Sequence, residues 1–232
     1  MNQHGASGTD RREIPQRTTT WATRAADVLE RVGATPNLIS VGSVVVAVVA
    51  AAALVASADA SDAARAGLLV LAAVCLPLRL LMNMLDGMLA VEKGMHSPVG
   101  DLYNEVPDRF SDVAVLAAAG YATAGAWTGA GHDLGVALGW TAAVLAVLTA
   151  YARALGAAGG VGQVFAGPMA KPRRMWVVVA ACAVSLLEPA LGMPRGWVFV
   201  ATLAVVALGS AVTTAVRLRV IARDLTARAA GS

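Results

Sequence analysis

VGATPNLISVGSVVVAVVAAAALVASA, residues 32–58, carries no charged side chain. A helix needs about 20 apolar residues to cross about 30 Å of hydrocarbon, and this stretch meets that length. Three further windows repeat the pattern: 113–132, 134–152 and 196–216 also lack Asp, Glu, Lys and Arg. Two more segments are long enough but hold polar groups: 66–90 contains Arg79 and Asp86, and 175–191 contains Glu188 near its end. The expected fold is an all-α integral membrane protein with six transmembrane helices, near 38–58, 66–90, 106–127, 134–155, 175–191 and 196–217.

Composition agrees. The 232 residues are 57% hydrophobic and 14% charged, with mean hydropathy +0.65. A soluble domain carries about 25% charged residues, so a disordered chain, a nucleic-acid-binding domain and an ordinary cytosolic enzyme are excluded as classes. Aromatic residues make up 5%, and Ala, Val, Leu and Gly dominate. That mixture favours closely packed helices over a β-barrel. Cys75 and Cys182 both lie in apolar runs and read as small packing residues.

Residues 1–17 read as a disordered cytoplasmic tail, with no apolar core or cleavage site of a signal peptide. In 18–34, Trp21, Ala25, Val28 and Leu29 recur among Arg24, Asp27, Glu30 and Arg31, the period of an interfacial amphipathic helix. The membrane domain then runs over 35–220, and 221–232 form a second cytoplasmic tail. Lys and Arg set the orientation. Fourteen fall in the N-terminal segment, the second-to-third and fourth-to-fifth loops and the C-terminal tail, against Arg65 and Arg195 on the other side. Both termini are therefore expected in the cytoplasm, as in a multi-pass protein of the cell's inner or plasma membrane.

Six of the fifteen acids, Asp86, Glu92, Asp101, Glu105, Asp108 and Asp112, fall within 27 residues. Each ionisable group inside a membrane costs about 2.5–3.5 kcal/mol at mid-span on insertion scales. Asn83, Asp86, Gly87 and Ala90 share one face of the second span, and Asp101, Asn104, Asp108 and Asp112 share one face of the third if it begins near Gly100. Two such faces, joined by a short loop, converge at the cytoplasmic end and present carboxylate and amide oxygens, the set hard divalent cations prefer. Small residues beside them let a ligand approach the backbone.

The pattern Asn83-x2-Asp86-Gly87-x2-Ala90-Val91-x8-Gly100-x3-Asn104-x3-Asp108 resembles the CDP-alcohol phosphatidyltransferase motif, D-x2-D-G-x2-A-R-x8-G-x3-D-x3-D. Every spacing matches. Asp86, Gly87, Ala90, Gly100 and Asp108 match in identity, whereas Asn83 and Asn104 replace aspartates and Val91 replaces arginine. Thr35-Pro36-Asn37 also resembles the family's approach to its first span. The resemblance implies transfer of a phosphatidyl group from a CDP-linked lipid, such as CDP-diacylglycerol, to an alcohol, with release of CMP. It implies one or two Mg²⁺ or Mn²⁺ ions held by Asn83, Asp86, Asn104 and Asp108, a CDP pocket at Gly87, Ala90 and Gly100, and Asp108 as general base. Asp101 and Glu105, beside Asn104, are candidate replacements for the lost carboxylates. The acceptor stays open among glycerol phosphate, inositol phosphate, serine and a second lipid.

Arg153, Lys171, Arg173 and Arg174 lie in or beside the fourth-to-fifth loop. They read either as a binding site for the phosphate of acceptor or CDP-lipid, or as anchors to anionic headgroups of membrane lipids. Arg79 reads as a positive group for the site or as the partner of a buried acid. Gly131-x3-Gly135-x3-Gly139 supports close helix packing inside the bundle or across a homodimer. Two other functions compete with transfer: a catalytically impaired relative that binds CDP-lipid or a partner, and a small cation-coupled transporter.

Overall fold

The computed structural model describes residues 19–95 and 99–230. The expected tail, 1–17, lies outside the described residues, as does the side chain of Asp101. Seven helices follow in order: α1 Thr20–Arg31, α2 Pro36–Ala56, α3 Asp62–Glu92, α4 Gly100–Tyr121, α5 Leu134–Ala158, α6 Lys171–Ser185 and α7 Trp197–Ala230. A two-residue antiparallel hairpin, β1 Thr128–Gly129 with β2 His132–Asp133, joins α4 to α5.

Local chemistry starts the helices. The Thr35 hydroxyl caps α2 by accepting the Leu38 N–H at 3.3 Å, and Pro36 fills the first turn where no amide donor is needed. Asp133 accepts the Val136 N–H at 3.0 Å and caps α5. Pro77 and Pro107 sit inside α3 and α4 without ending either helix.

α2 to α7 pack as a closed ring, in the spatial order α2, α3, α6, α7, α5, α4 and back to α2. The core is built of small and medium residues: Ala47, Ala50 and Ala53 of α2, Leu69 and Leu76 of α3, Ala142 and Ala146 of α5, Phe199 and Leu203 of α7. Large apolar side chains also point outward, among them Val45, Val74 and Leu208. That distribution suits a hydrocarbon solvent and not water. At one end of the ring, Arg65 of α3 donates to the Glu188 carboxylate at 2.7 Å, and Glu188 accepts the Gly196 and Val198 amides at the start of α7.

α2, α3, α5 and α7 are long and apolar enough to cross a membrane. The six-crossing count rests on α4 and α6. α4 spends its first turns on acids, and α6, at 15 residues, spans only about 22 Å at 1.5 Å per residue. α4 also begins at Gly100, earlier than the expected 106, and ends at Tyr121 before a turn with positive φ at Ala124 and Gly125. The segment expected as a tail, 221–232, continues α7 through Ala230.

α1 packs Ala22 and Ala26 against Leu85, Met88 and Leu89 of α3 and Ile39 of α2. Trp21 and Val28, expected on the same apolar face, are exposed and available to a headgroup region. Lys93, just past α3, reaches Asp27 at 2.5 Å and Glu30 at 2.9 Å and ties α1 down. The Lys93 ammonium holds the Asp27 carboxyl below the usual carboxylate range.

The glycine stripe resolves in favour of internal packing. A Cβ at Gly139 would stand 2.6 Å from the Gly120 Cα of α4, and one at Gly120 would stand 3.0 Å from the Gly139 Cα. α4 and α5 therefore touch backbone to backbone. Gly131 lies in the hairpin with φ +78° and takes no part. Gly139→Val is expected to destabilise the protein by about 1–3 kcal/mol or more, read as a lower melting temperature in detergent. Gly67→Ala, where a Cβ meets nothing within 4 Å, is expected to leave the melting temperature unchanged or raised.

Candidate active site

The polar cluster is built outward from Asp112, which is fully buried. Its Oδ2 accepts Arg174 Nη2 of α6 at 2.8 Å, and its Oδ1 accepts Arg79 Nη2 of α3 at 3.4 Å. Arg174 is itself completed by the Thr149 hydroxyl of α5 and the Met169 carbonyl, both at 3.1 Å. Arg217 of α7 donates to the Thr149 carbonyl at 2.6 Å and the Ala166 carbonyl at 3.0 Å. One continuous polar path thus links five helices of the ring through its interior.

Asp108 stands one helical turn before Asp112 on the same face of α4. Its Oδ1 accepts Asn83 Nδ2 at 2.6 Å and Arg79 Nη2 at 3.3 Å. Its Oδ2 is in contact with the Lys171 ammonium, and Arg109 Nη2 lies 3.7 Å away. Burial holds Lys171 below the ordinary lysine range, with the Asp108 carboxylate pulling the other way. Asp86, one turn past Asn83, accepts the Ser40 hydroxyl of α2 through Oδ2 at 2.6 Å, while its buried Oδ1 has no partner among the described residues. Glu105 pairs with Arg153 at the mouth and lies 3.6 Å from Arg109. Arg153 also reaches Gln163 at 3.2 Å and stands over the Phe165 ring.

The structure brings Asn83 and Asp108 of the two faces together and adds Glu105, Arg153 and Lys171 beside them. Other expected residues fall elsewhere. Asn104 is exposed on α4. Gly87 is buried, Ala90 is half-buried, and Gly100 opens α4. Arg174 lies beneath the site, with its two terminal nitrogens bound to Asp112, Thr149 and Met169. Arg173 points to the far side of α6, where it donates to the Pro168 carbonyl at 2.8 Å and lines an open apolar groove with Met169 and Trp176. Arg79 serves both acids of α4 at once. Ser40, Thr149 and Arg217 join the cluster without having been singled out in the sequence. Only Ser40 had a usable signal there: with Ser43 it forms a polar pair one turn apart in a charge-free span.

Among the described side chains, the donor set is poor in carboxylates for a pair of divalent ions. Two motif positions are amides, and among the described residues no three His, Cys, Asp or Glu side chains gather to hold a metal. Asn83 turns its NH₂ group to Asp108; the reverse orientation would set an amide oxygen against a carboxylate. Lys171 covers the other Asp108 oxygen.

No family model matches the sequence, and no curated protein matches it. Solved structures do resemble the fold. Phosphatidylinositol phosphate synthase of Mycobacterium tuberculosis with CDP-DAG bound aligns with a TM-score of 0.69 at 22% identity, over 88% of this chain and 94% of that one. The same enzyme in complex with manganese and citrate gives a TM-score of 0.68 at 23% identity, over 86% and 88%. The chain therefore has the fold of that synthase and is a multi-pass membrane protein.

Asp112→Asn removes the charge shared by two buried guanidinium groups. Breaking a buried pair in this way costs about 3–5 kcal/mol. A large fall in melting temperature in detergent is expected, well beyond that of Glu105→Gln at the exposed mouth, where a pair contributes about 0–1 kcal/mol.

Proposed function

We propose that the chain transfers the phosphatidyl group of a CDP-linked lipid, such as CDP-diacylglycerol, to an alcohol and releases CMP. It does so at the cytoplasmic face of the inner or plasma membrane, with both termini on that side. The reading is carried by the Asn83–Asp108 bond, which joins the two halves of the motif across α3 and α4. It is supported by the likeness to an enzyme solved with CDP-DAG. The acceptor is an alcohol, drawn from phosphorylated polyols, serine or a second lipid.

In this reading the acceptor oxygen attacks the lipid-side phosphorus of the diphosphate. The bond from that phosphorus to the bridging oxygen breaks, and its electron pair leaves with CMP. The hydroxyl proton passes to Asp108. For Asp108 to accept it, the Lys171 ammonium turns from the carboxylate toward the phosphate, where it offsets the charge gathering on the departing group. Arg153 and Arg109, both partly open to solvent, hold a phosphate of donor or acceptor; Gly87, Ala90 and Gly100 let the cytidine approach the backbone. No step in this reading is routed through a divalent ion, since among the described side chains Asn83 and Lys171 already occupy both Asp108 oxygens.

A second reading has its own support. Asp108 is engaged by Asn83, Arg79 and Lys171 together, so neither of its oxygens stands open to an acceptor hydroxyl. With both carboxylate oxygens occupied, the geometry favours a relative that binds CDP-lipid without turnover.

Labelled CDP-diacylglycerol supplied with a panel of candidate alcohols separates the two readings through CMP release. Transfer predicts release that depends on one class of alcohol. Binding without release in every mixture overturns transfer and leaves the second reading. With an active acceptor, Asp108→Asn is expected to abolish turnover while CDP-diacylglycerol binding falls only a few-fold; unchanged turnover removes Asp108 as the base.

A further inference from the structure

We infer that this chain grips the diphosphate of its CDP-lipid with its own side-chain cations, Lys171 foremost, and requires no divalent metal ion to do so. The inference rests on the proposed ligand but not on turnover.

The charges at the site lead to it. Among the described side chains around Asp108 and Asp112 stand Arg79, Arg109, Arg153, Lys171 and Arg174, five cations against the four carboxylates Asp86, Glu105, Asp108 and Asp112. Fixed positive charge beside a carboxylate opposes the approach of a doubly charged ion. Here the two positions that would supply further negative charge are Asn83 and Asn104. Asn83 reinforces the arrangement, because its NH₂ group donates to Asp108 Oδ1 at 2.6 Å and so occupies a carboxylate oxygen.

The cations also have donors to spare. Arg79 is fully buried, yet among the described residues its Nε and Nη1 have no acceptor, and Arg174 Nε has none. A buried donor without a partner costs about 1–3 kcal/mol. A phosphate oxygen is an acceptor of the right charge, and guanidinium–phosphate bonds are among the stronger hydrogen bonds. Lys171, Arg109 and Arg153 each keep about a fifth of their side chains open at the mouth. Ammonium and guanidinium groups there meet an incoming diphosphate directly. Lys171 exchanges one anionic partner, Asp108, for another, and stays paired throughout.

The test is binding of CDP-diacylglycerol to the full chain in detergent, in buffer containing chelator and in buffer containing Mn²⁺ or Mg²⁺, with phosphatidic acid and CDP as separate titrants. Affinity for CDP-diacylglycerol is expected to agree within about threefold between the buffers. Lys171→Met is expected to weaken binding about tenfold or more in both, and Lys171→Arg to restore most of it in a protein of unchanged melting temperature. Phosphatidic acid and CDP each bind more weakly than the intact lipid nucleotide if the diphosphate is what the cations read. Binding that collapses with chelator and returns with either metal overturns the inference and leaves the proposed ligand standing. Equal affinity for phosphatidic acid overturns diphosphate recognition. Absence of CDP-diacylglycerol binding in both buffers overturns inference and ligand together. Metal-independent binding without CMP release upholds the inference and overturns transfer alone.

Discussion

A single buried carboxylate, Asp112, holds two guanidinium groups, Arg79 and Arg174, inside a bundle meant for hydrocarbon. The rest of the molecule follows from that constraint. Charges in such a place persist only when paired and hydrogen-bonded. Completing these pairs draws α3, α4 and α6 to a common point and recruits Thr149 of α5 and, through it, Arg217 of α7. The ring closes because its interior polar groups need partners that no one helix can supply. Arg65 and Glu188 do the same work at the opposite end, so the contact between α3 and α6 is pinned near both ends while ordinary apolar packing fills the middle.

The fold class was legible because absence of charge over 20 residues has one economical explanation. Helix ends were less so, and the reason is physical. Hydropathy marks where lipid solvates a helix, yet the first turns of α4 and the last turns of α7 are solvated by protein and water. Gly100 to Glu105 and Leu218 to Ala230 were therefore discounted although both are helical. The glycine stripe could be assigned a close contact but not a partner, since the same spacing serves a neighbour within the chain or in another copy.

Within the site, helical period alone placed Asn83 with Asp86 and Asp108 with Asp112. It could not say who would face them. Lys171 reaches Asp108, and Arg174 reaches Asp112, only because the ring order sets α6 beside α3, across the interior from α4. Spacing cannot encode that. Nor could it distinguish the two faces of one short helix: Lys171 and Arg174 turn inward, while Arg173 turns away. The two asparagines carried the most information and were the hardest to weigh in isolation. Each removes a negative charge, and the consequence appears only once the surrounding cations are counted.

The placement of Arg79 also bears on how such a chain is made. Synthesis proceeds from the N-terminus, so α3 meets the bilayer before Asp112 of α4 exists and well before α6 delivers Arg174. A lone guanidinium at that depth carries a cost of about 2.5–3.5 kcal/mol on insertion scales. The long apolar remainder of α3 is enough to keep it from being expelled, but not to let it rest. The third helix therefore waits, with its arginine reaching for water at the membrane edge, until the following helix arrives with the missing acid. Biogenesis of this bundle is cooperative across segments, and its early helices find their final depth only after later ones have joined them.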